Sequence, residues 1–183
     1  EALFQAGAIR GTCQLASPYV GNAYNDARVR SALDARAVDE SIAISDGTPD
    51  TIADALCAGK VIGTFIERLE LGPRALGHRS VLADPRSLAT KDRINAILKG
   101  REWFVPFAPC VLKSDAHLYW DGATDYPYMT LAVTASDYAR RVTPAVVHVD
   151  GTMRPQVVTR ERSPWLHAVL EAFKRRTGVG LLI

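Results

Sequence analysis

The 183-residue chain has no apolar run approaching the ~20 residues of a membrane-spanning helix, and its first residues lack the charged-then-apolar pattern of a secretion signal. Cysteine is sparse: Cys13, Cys57 and Cys110 are far apart, with no Cys-x-x-Cys pair and no histidine at metal-ligand spacing. A zinc site and a disulfide framework are therefore not expected, and buried, reduced thiols of a cytoplasmic protein are. No Gly-Lys-Ser/Thr ending marks a nucleotide-binding P-loop, and there are no internal repeats or low-complexity stretches. With 48% apolar and 23% charged residues, the composition is that of a globular domain long enough to bury its own core.

No charge sign dominates either, since the formal net charge is only +2. Near-neutrality hides blocks: residues 1–50 carry net −3, 67–101 carry +4, 102–139 carry −4 and 140–183 carry +5. Alternating blocks favour a localised anion site over a coat for a long polyanion. The Lys174-Arg175-Arg176 run reads more simply as a solvated helix face.

Residues 1–20 show no periodicity and read as an arm or linker. Asn25 can cap a helix to about Arg36 with Val29 and Leu33 inward. Thr48 and Pro49 open a second helix, with Ile52, Ala55 and Leu56 inward and Gly59 ending it. Residues 60–66 read as a buried strand, and 87–98 as a helix with a core stripe of Ile94, Ile97 and Leu98, stopped by Gly100. Its adjoining face stacks Lys91, Asn95 and Lys99. Strand-like runs follow at 108–113, 128–134, 143–149 and 154–159. Ser163-Pro164 then starts a helix with Leu166, Val169, Leu170 and Phe173 inward and Gly178 as its stop, and 179–183 read as the beginning of a strand. Mixed helices and strands give an α/β (α+β) class, divided into residues 1–44 (arm, linker and helix) and a domain over 45–183.

Three segments can carry chemistry. In ERLELGPRALGHRS (67–80) the glycines keep the backbone turning, so Arg74, Arg79 and Ser80 can stand beside exposed amide groups. In KGREWFVPFAP (99–109) Lys99 and Arg101 flank a glycine, a placement that also suits a helix C-terminus. Trp103, Phe104 and Phe107 read as core. In HVDGTMRPQ (148–156) His148, Asp150 and Arg154 bracket an Asp-Gly turn, with His148 and Asp150 on one strand face. Each segment also has a purely structural reading.

Together, GPRALGHRS, DPR (84–86), REWFVPFAP and HVDGTMRPQ, in this order, resemble the carboxy-terminal domain of the O-carbamoyltransferase family. That family includes nodulation protein U and enzymes that carbamoylate antibiotics. SPYVG (17–21) and the last helix extend the resemblance over most of the chain. It implies a YrdC/Sua5-like fold, a twisted open mixed sheet with flanking helices around a basic concave cavity. In it carbamoyl phosphate and ATP, with Mg²⁺, form carbamoyl adenylate, and the carbamoyl group passes to a small-molecule hydroxyl acceptor. The acceptor and an Fe²⁺ ion would belong to an amino-terminal Kae1-like domain, so no metal site is expected in this chain.

Lys99-Gly100-Arg101 matches the Lys-x-Arg motif of YrdC-like proteins. His78 and Val105 stand where the family usually has Asn and Arg. A family stretch Asn-Thr-Ser-Phe-Asn would follow Ile183, so the chain is expected to be a piece truncated within its domain and incomplete for full turnover. Arg74, Arg79, Lys99, Arg101 and Arg154 are the expected phosphate binders. Ser80 and His148 would orient carbamoyl or phosphate oxygens, and Asp150 would fix His148 or Mg²⁺. No covalent nucleophile is assigned. A threonylcarbamoyl-adenylate synthase and an RNA-binding module of the same fold remain alternatives. Against the RNA-binding module stand the low net charge and basic blocks without interleaved exposed aromatics. A homodimer is left open.

Overall fold

The computed structural model describes residues 17–35, 45 and 47–183, except the side chain of Lys99. Cys13, Arg36 and most of the expected amino-terminal arm lie outside the described residues.

The longest helix, α6 (Pro164–Thr177), follows its sequence period: Leu166, Val169, Leu170 and Phe173 are fully buried, and Gly178 ends it in the left-handed conformation. It packs on α2 (Pro49–Cys57), whose Thr48 and Thr51 form a reciprocal capping box and whose Ala53 and Leu56 are fully buried. Arg175 and Arg176 cross the packed pair to Asp50 and Asp54 at 2.5–2.9 Å, and Lys174 holds the buried Asp115 at 2.7 Å. The basic run thus lies on an exposed helix face, as expected, and forms ion pairs there.

Beneath α6 lies a three-stranded sheet in the order β8-β5-β9. Here β5 (Cys110–Leu112) runs parallel to β8 (Gln156–Val158) and antiparallel to β9 (Leu181–Leu182). All three strands are buried, including Gln156 at the start of β8. Three two-stranded antiparallel ribbons surround it. They pair β1 (Tyr19–Ala23) with β3 (Arg68–Glu70), β2 (Ile62–Gly63) with β4 (Val81–Leu82), and β6 (Val133–Thr134) with β7 (Thr152–Met153). The architecture is mixed α/β with small sheets.

Several expectations are corrected. Residues 60–66 contribute only the short, partly exposed β2, and Phe65 is largely exposed. Residues 143–149 form a 3₁₀ turn (Pro144–Val146), because Pro144 supplies no ladder donor. Helix α1 (Asp26–Asp34) is capped by Asn25 as expected, yet Val29 and Leu33 are exposed and the helix buries no residue.

The helix over 87–98 is α-helical only in α3 (Leu88–Arg93) and continues as a π-helix over Ile94–Lys99. Its wider i→i+5 turn rotates later residues off the α-helical stripe, so Ile94 is buried while Ile97 and Leu98 face solvent. Short helices α4 (Ala116–Tyr119) and α5 (Asp137–Val142) complete the fold. No helix among the described residues is long and apolar enough to cross a membrane.

Candidate functional site

The loop after β3 is built around one carboxylate. Glu70 is buried, and its Oε1 accepts the backbone N–H groups of Leu76 (2.9 Å), His78 (2.8 Å) and Arg79 (3.0 Å). Burial pushes its pKa up, but these donors outweigh it and hold the group below the ordinary carboxylate value. The Leu76 carbonyl accepts from Tyr19 Oη at 2.8 Å and from Gln156 Nε2 at 2.9 Å, tying the loop to β1 and β8.

His78 is buried under the Tyr19 ring. Its Nδ1 donates to the Arg68 carbonyl at 2.8 Å, and its Nε2 stands 3.3 Å from Ser163 Oγ and 3.8 Å from Glu67 Oε2. Ser163 therefore makes no side-chain cap for α6.

This loop, the 101–108 segment and the start of β8 enclose a cavity of about 220 Å³. Arg74, Arg101 and Arg154 line it with Gly77, Ser80, Phe107, Cys110, Met129, Gln156 and Ile183, and the lining contains no acidic side chain. Arg74 has no hydrogen-bond or ion-pair partner among the described residues. Burial, and then the neighbouring Arg74 charge, lower the Arg154 pKa; burial lowers that of Arg101.

Arg154 Nε and Gln156 Oε1 are buried without hydrogen-bond partners. Such orphaned polar atoms in a polar cavity are what an anionic or amide-bearing ligand would satisfy. Ser80 Oγ accepts the Gly77 N–H at 2.7 Å, which leaves its own proton free to donate. Burial pushes the Cys110 thiol up to about 12, so it offers no thiolate at neutral pH.

The structure thus brings together Arg74, Ser80, Arg101 and Arg154. It does not bring in Arg79, His148 or Asp150, and the Lys99 side chain lies outside the described residues. The Arg79 guanidinium is spent on the Ile66, Glu67 and His78 carbonyls and lies over the Phe65 ring at 3.7 Å. His148 and Asp150 sit in the Asp-Gly turn before β7, not on a strand face, because the turn bonds close at His148. There, His148 Nδ1 meets Thr152 Oγ1 at 3.0 Å, and Asp150 Oδ1 accepts from Thr152 N and Oγ1. Neither lines the cavity.

The DPR segment is closed on itself, Arg86 forking onto Asp84. Among the described residues no three His, Cys, Asp or Glu side chains gather as for a metal ion. A Mg²⁺ ion at this cavity would therefore rest on ligand oxygens and water.

Glu70, Gln156 and Met129 were not singled out from sequence. Met129 lines the cavity at φ +53°, which nothing in its residue type announces. The available signal for Glu70 is its place just ahead of the glycine-rich turn. Trp103 and Phe104 are exposed rather than core, with Lys91 Nζ 5.8 Å from the Trp103 ring centroid. Exposed aromatics thus do accompany the first basic block.

Residues 53–183 match a family model described as Carbamoyltransferase C-terminus. The chain is 44% identical over 142 residues to nodulation protein NolO of Bradyrhizobium diazoefficiens, covering 76% of this chain and 26% of that protein. It is 39% identical over 138 residues to the 3'-hydroxymethylcephem-O-carbamoyltransferase of Amycolatopsis lactamdurans (73% and 25%). To nodulation protein U of Rhizobium fredii it is 38% identical over 131 residues (72% and 22%). The chain spans about a quarter of the length of these relatives.

Proposed function

The chain belongs to the carbamoyltransferase C-terminal family, and we propose that its three-arginine cavity is where carbamoyl phosphate and ATP meet in an O-carbamoyltransferase. The observation that carries this reading is the convergence of Arg74, Arg101 and Arg154 on one cavity without an acidic side chain. Three like charges without counter-ions call for an anion, and guanidinium forks suit phosphate oxygens in two-bond contacts.

Phosphate groups brought together there would be neutralised and aligned by fixed donors, which is most of what such a transfer needs from a protein. In this reading water releases phosphate from carbamoyl phosphate, and the resulting carbamate oxygen displaces pyrophosphate from the α-phosphorus of ATP to give carbamoyl adenylate, with Mg²⁺ held by phosphate oxygens. The cavity is smaller than the ~300–1,000 Å³ common for ligand sites, which favours the phosphate-bearing end as its occupant. The carbamoyl group then passes to a hydroxyl acceptor on an amino-terminal Kae1-like, Fe²⁺-bearing region of the whole protein. The fold would be YrdC/Sua5-like and the compartment the cytoplasm, where Cys57 and Cys110 stay as the free thiols they are here.

Calorimetric titration of the chain tests the reading. Carbamoyl phosphate and ATP should bind, and Arg101→Ala should weaken both roughly tenfold to a hundredfold, the worth of one charge-assisted hydrogen bond. Binding of RNA with neither phosphate compound bound would overturn it, and the exposed Trp103 and Phe104 make RNA the control to run.

A further inference from the structure

The cavity arginine nearest the π-helix is not held by a charge. Arg101 Nε donates to Asn95 Oδ1 at 2.6 Å, and the Asn95 carbonyl accepts the Arg101 backbone N–H at 3.0 Å. The same side chain donates from Nδ2 to the Trp103 carbonyl at 3.3 Å and to the Val105 carbonyl at 3.0 Å. Asn95 is 1% exposed, and it sits in the π-helical turn that Gly100 closes in the left-handed conformation. Asn95 does not line the cavity, whereas Arg101, Pro106 and Phe107 do.

We infer that Asn95 is a positioning residue: through its amide oxygen it fixes the direction of the Arg101 guanidinium, and so sets the affinity for the anion. The inference rests on the reading of the cavity as an anion site.

An amide suits this task for a stated reason. A carboxylate at position 95 would hold Arg101 more tightly but would neutralise it, and its oxygens would face the Trp103 and Val105 carbonyls. An amide supplies one acceptor for the arginine and two donors for the loop while leaving the positive charge whole. The Arg101 terminal nitrogens remain available to a ligand, because Asn95 occupies Nε alone. Phe107 lies against the guanidinium with 4.3 Å between its ring centroid and the central carbon, completing the clamp. The π-helix explains the placement. Its extra residue per turn turns Asn95 inward directly after Ile94 and lets Gly100 and Arg101 both donate to the Asn95 carbonyl.

A double-mutant cycle with carbamoyl phosphate as the probe tests this. Asn95→Ala should weaken binding by about five- to twentyfold while Arg101 is present, about the worth of a single hydrogen bond. In an Arg101→Ala background the same substitution should change binding by less than about twofold, since its effect runs through the missing arginine. Equal losses in both backgrounds would overturn the inference and leave Asn95 as fold scaffolding. If the wild-type chain binds no carbamoyl phosphate or ATP, the cavity reading falls and takes this inference with it. Asn95→Ser replaces the alanine variant if that variant does not fold.

A measurement on the wild-type chain stands beside the cycle. The Arg101 Nε–H should give a slowly exchanging NMR resonance without any ligand. A fast-exchanging Arg101 Nε–H would also overturn the inference.

Discussion

The ring of Tyr19 lies flat on the ring of His78, with centroids 3.8 Å and planes 14° apart, and its hydroxyl reaches over to the Leu76 carbonyl. One side chain at the start of the described chain thereby closes the loop that carries Arg74, Gly77 and Ser80 into the cavity. Removing the ring should release that loop. Tyr19→Phe, which loses only the hydroxyl, should cost about 1–2 kcal/mol in chemical denaturation. Tyr19→Ala should cost about 3–5 kcal/mol and also weaken anion binding. A Tyr19→Ala protein with unchanged denaturation midpoint would show that the stack contributes nothing.

Glu70 makes stability depend on acid in a set direction. Its folded-state pKa lies below the ordinary 4.5, because the N–H groups of Arg79, Leu76 and His78 outweigh the opposing effect of burial. The contribution is complete above pH 4.5 and is lost as pH falls through the folded-state value. Glu70→Gln should therefore be less stable than wild type at pH 7, with the gap narrowing toward pH 3. Urea midpoints measured across that range check it, and a gap independent of pH would count against the carboxylate's role.

The arginine cluster should trade stability for binding. Arg154 keeps a buried Nε without a partner and stands beside the Arg74 charge, so the ligand-free fold carries an uncompensated cost there. Arg154→Met is expected to raise the melting temperature while weakening anion binding. Wild type should gain thermal stability on adding pyrophosphate, and the variant should gain less. A variant that melts lower and responds to pyrophosphate as wild type does would contradict both halves.

Cys110 lines the cavity but is fully buried, with its pKa pushed up to about 12. Iodoacetamide at pH 8 should leave it unmodified in the folded chain and modify it after denaturation, as peptide mass spectrometry would record. Rapid native-state labelling at Cys110 would mean that the cavity opens far more widely than its walls indicate.

Gly180 faces the Asp115 carboxylate so closely that a Cβ would overlap Oδ2, with Asp115 Cγ and Leu112 Cδ1 at 3.0 and 3.1 Å behind it. Asp115 is buried and paired with Lys174, so it has nowhere to withdraw. Gly180→Ala should cost about 3 kcal/mol. A calorimetric melt within a degree of wild type would be the contrary result.

What could be read from residues alone follows from how local each signal is. The α6 stripe and the Thr48 start of α2 are encoded within a few positions, and both hold. Arg74, Ser80, Arg101 and Arg154 were legible as donors in turning segments, and the fold gathers them on one cavity. Arg79 carries the same side chain in the same segment, yet carbonyls at 66, 67 and 78 claim it. That competition is set by how the loop folds back, which spacing does not encode. A period of 3.6 puts Ile97 and Leu98 on the core stripe, but the π-helical turn carries them to solvent. Glu70 and Asn95 organise the site through backbone carbonyls and N–H groups, whose positions no residue type reveals.

The first turn of α6 touches the cavity loop twice. Ser163 reaches the His78 ring, and Leu166 lies so near Gly77 that an added Cβ would come within 2.5 Å of its methyl group. A ligand pressing on the loop from the cavity side therefore meets the core's main helix immediately behind it. The arginine loop is an anvil rather than a hinge. Any widening must come from the opposite wall, where the 101–108 segment hangs from one asparagine amide and a π-helical turn.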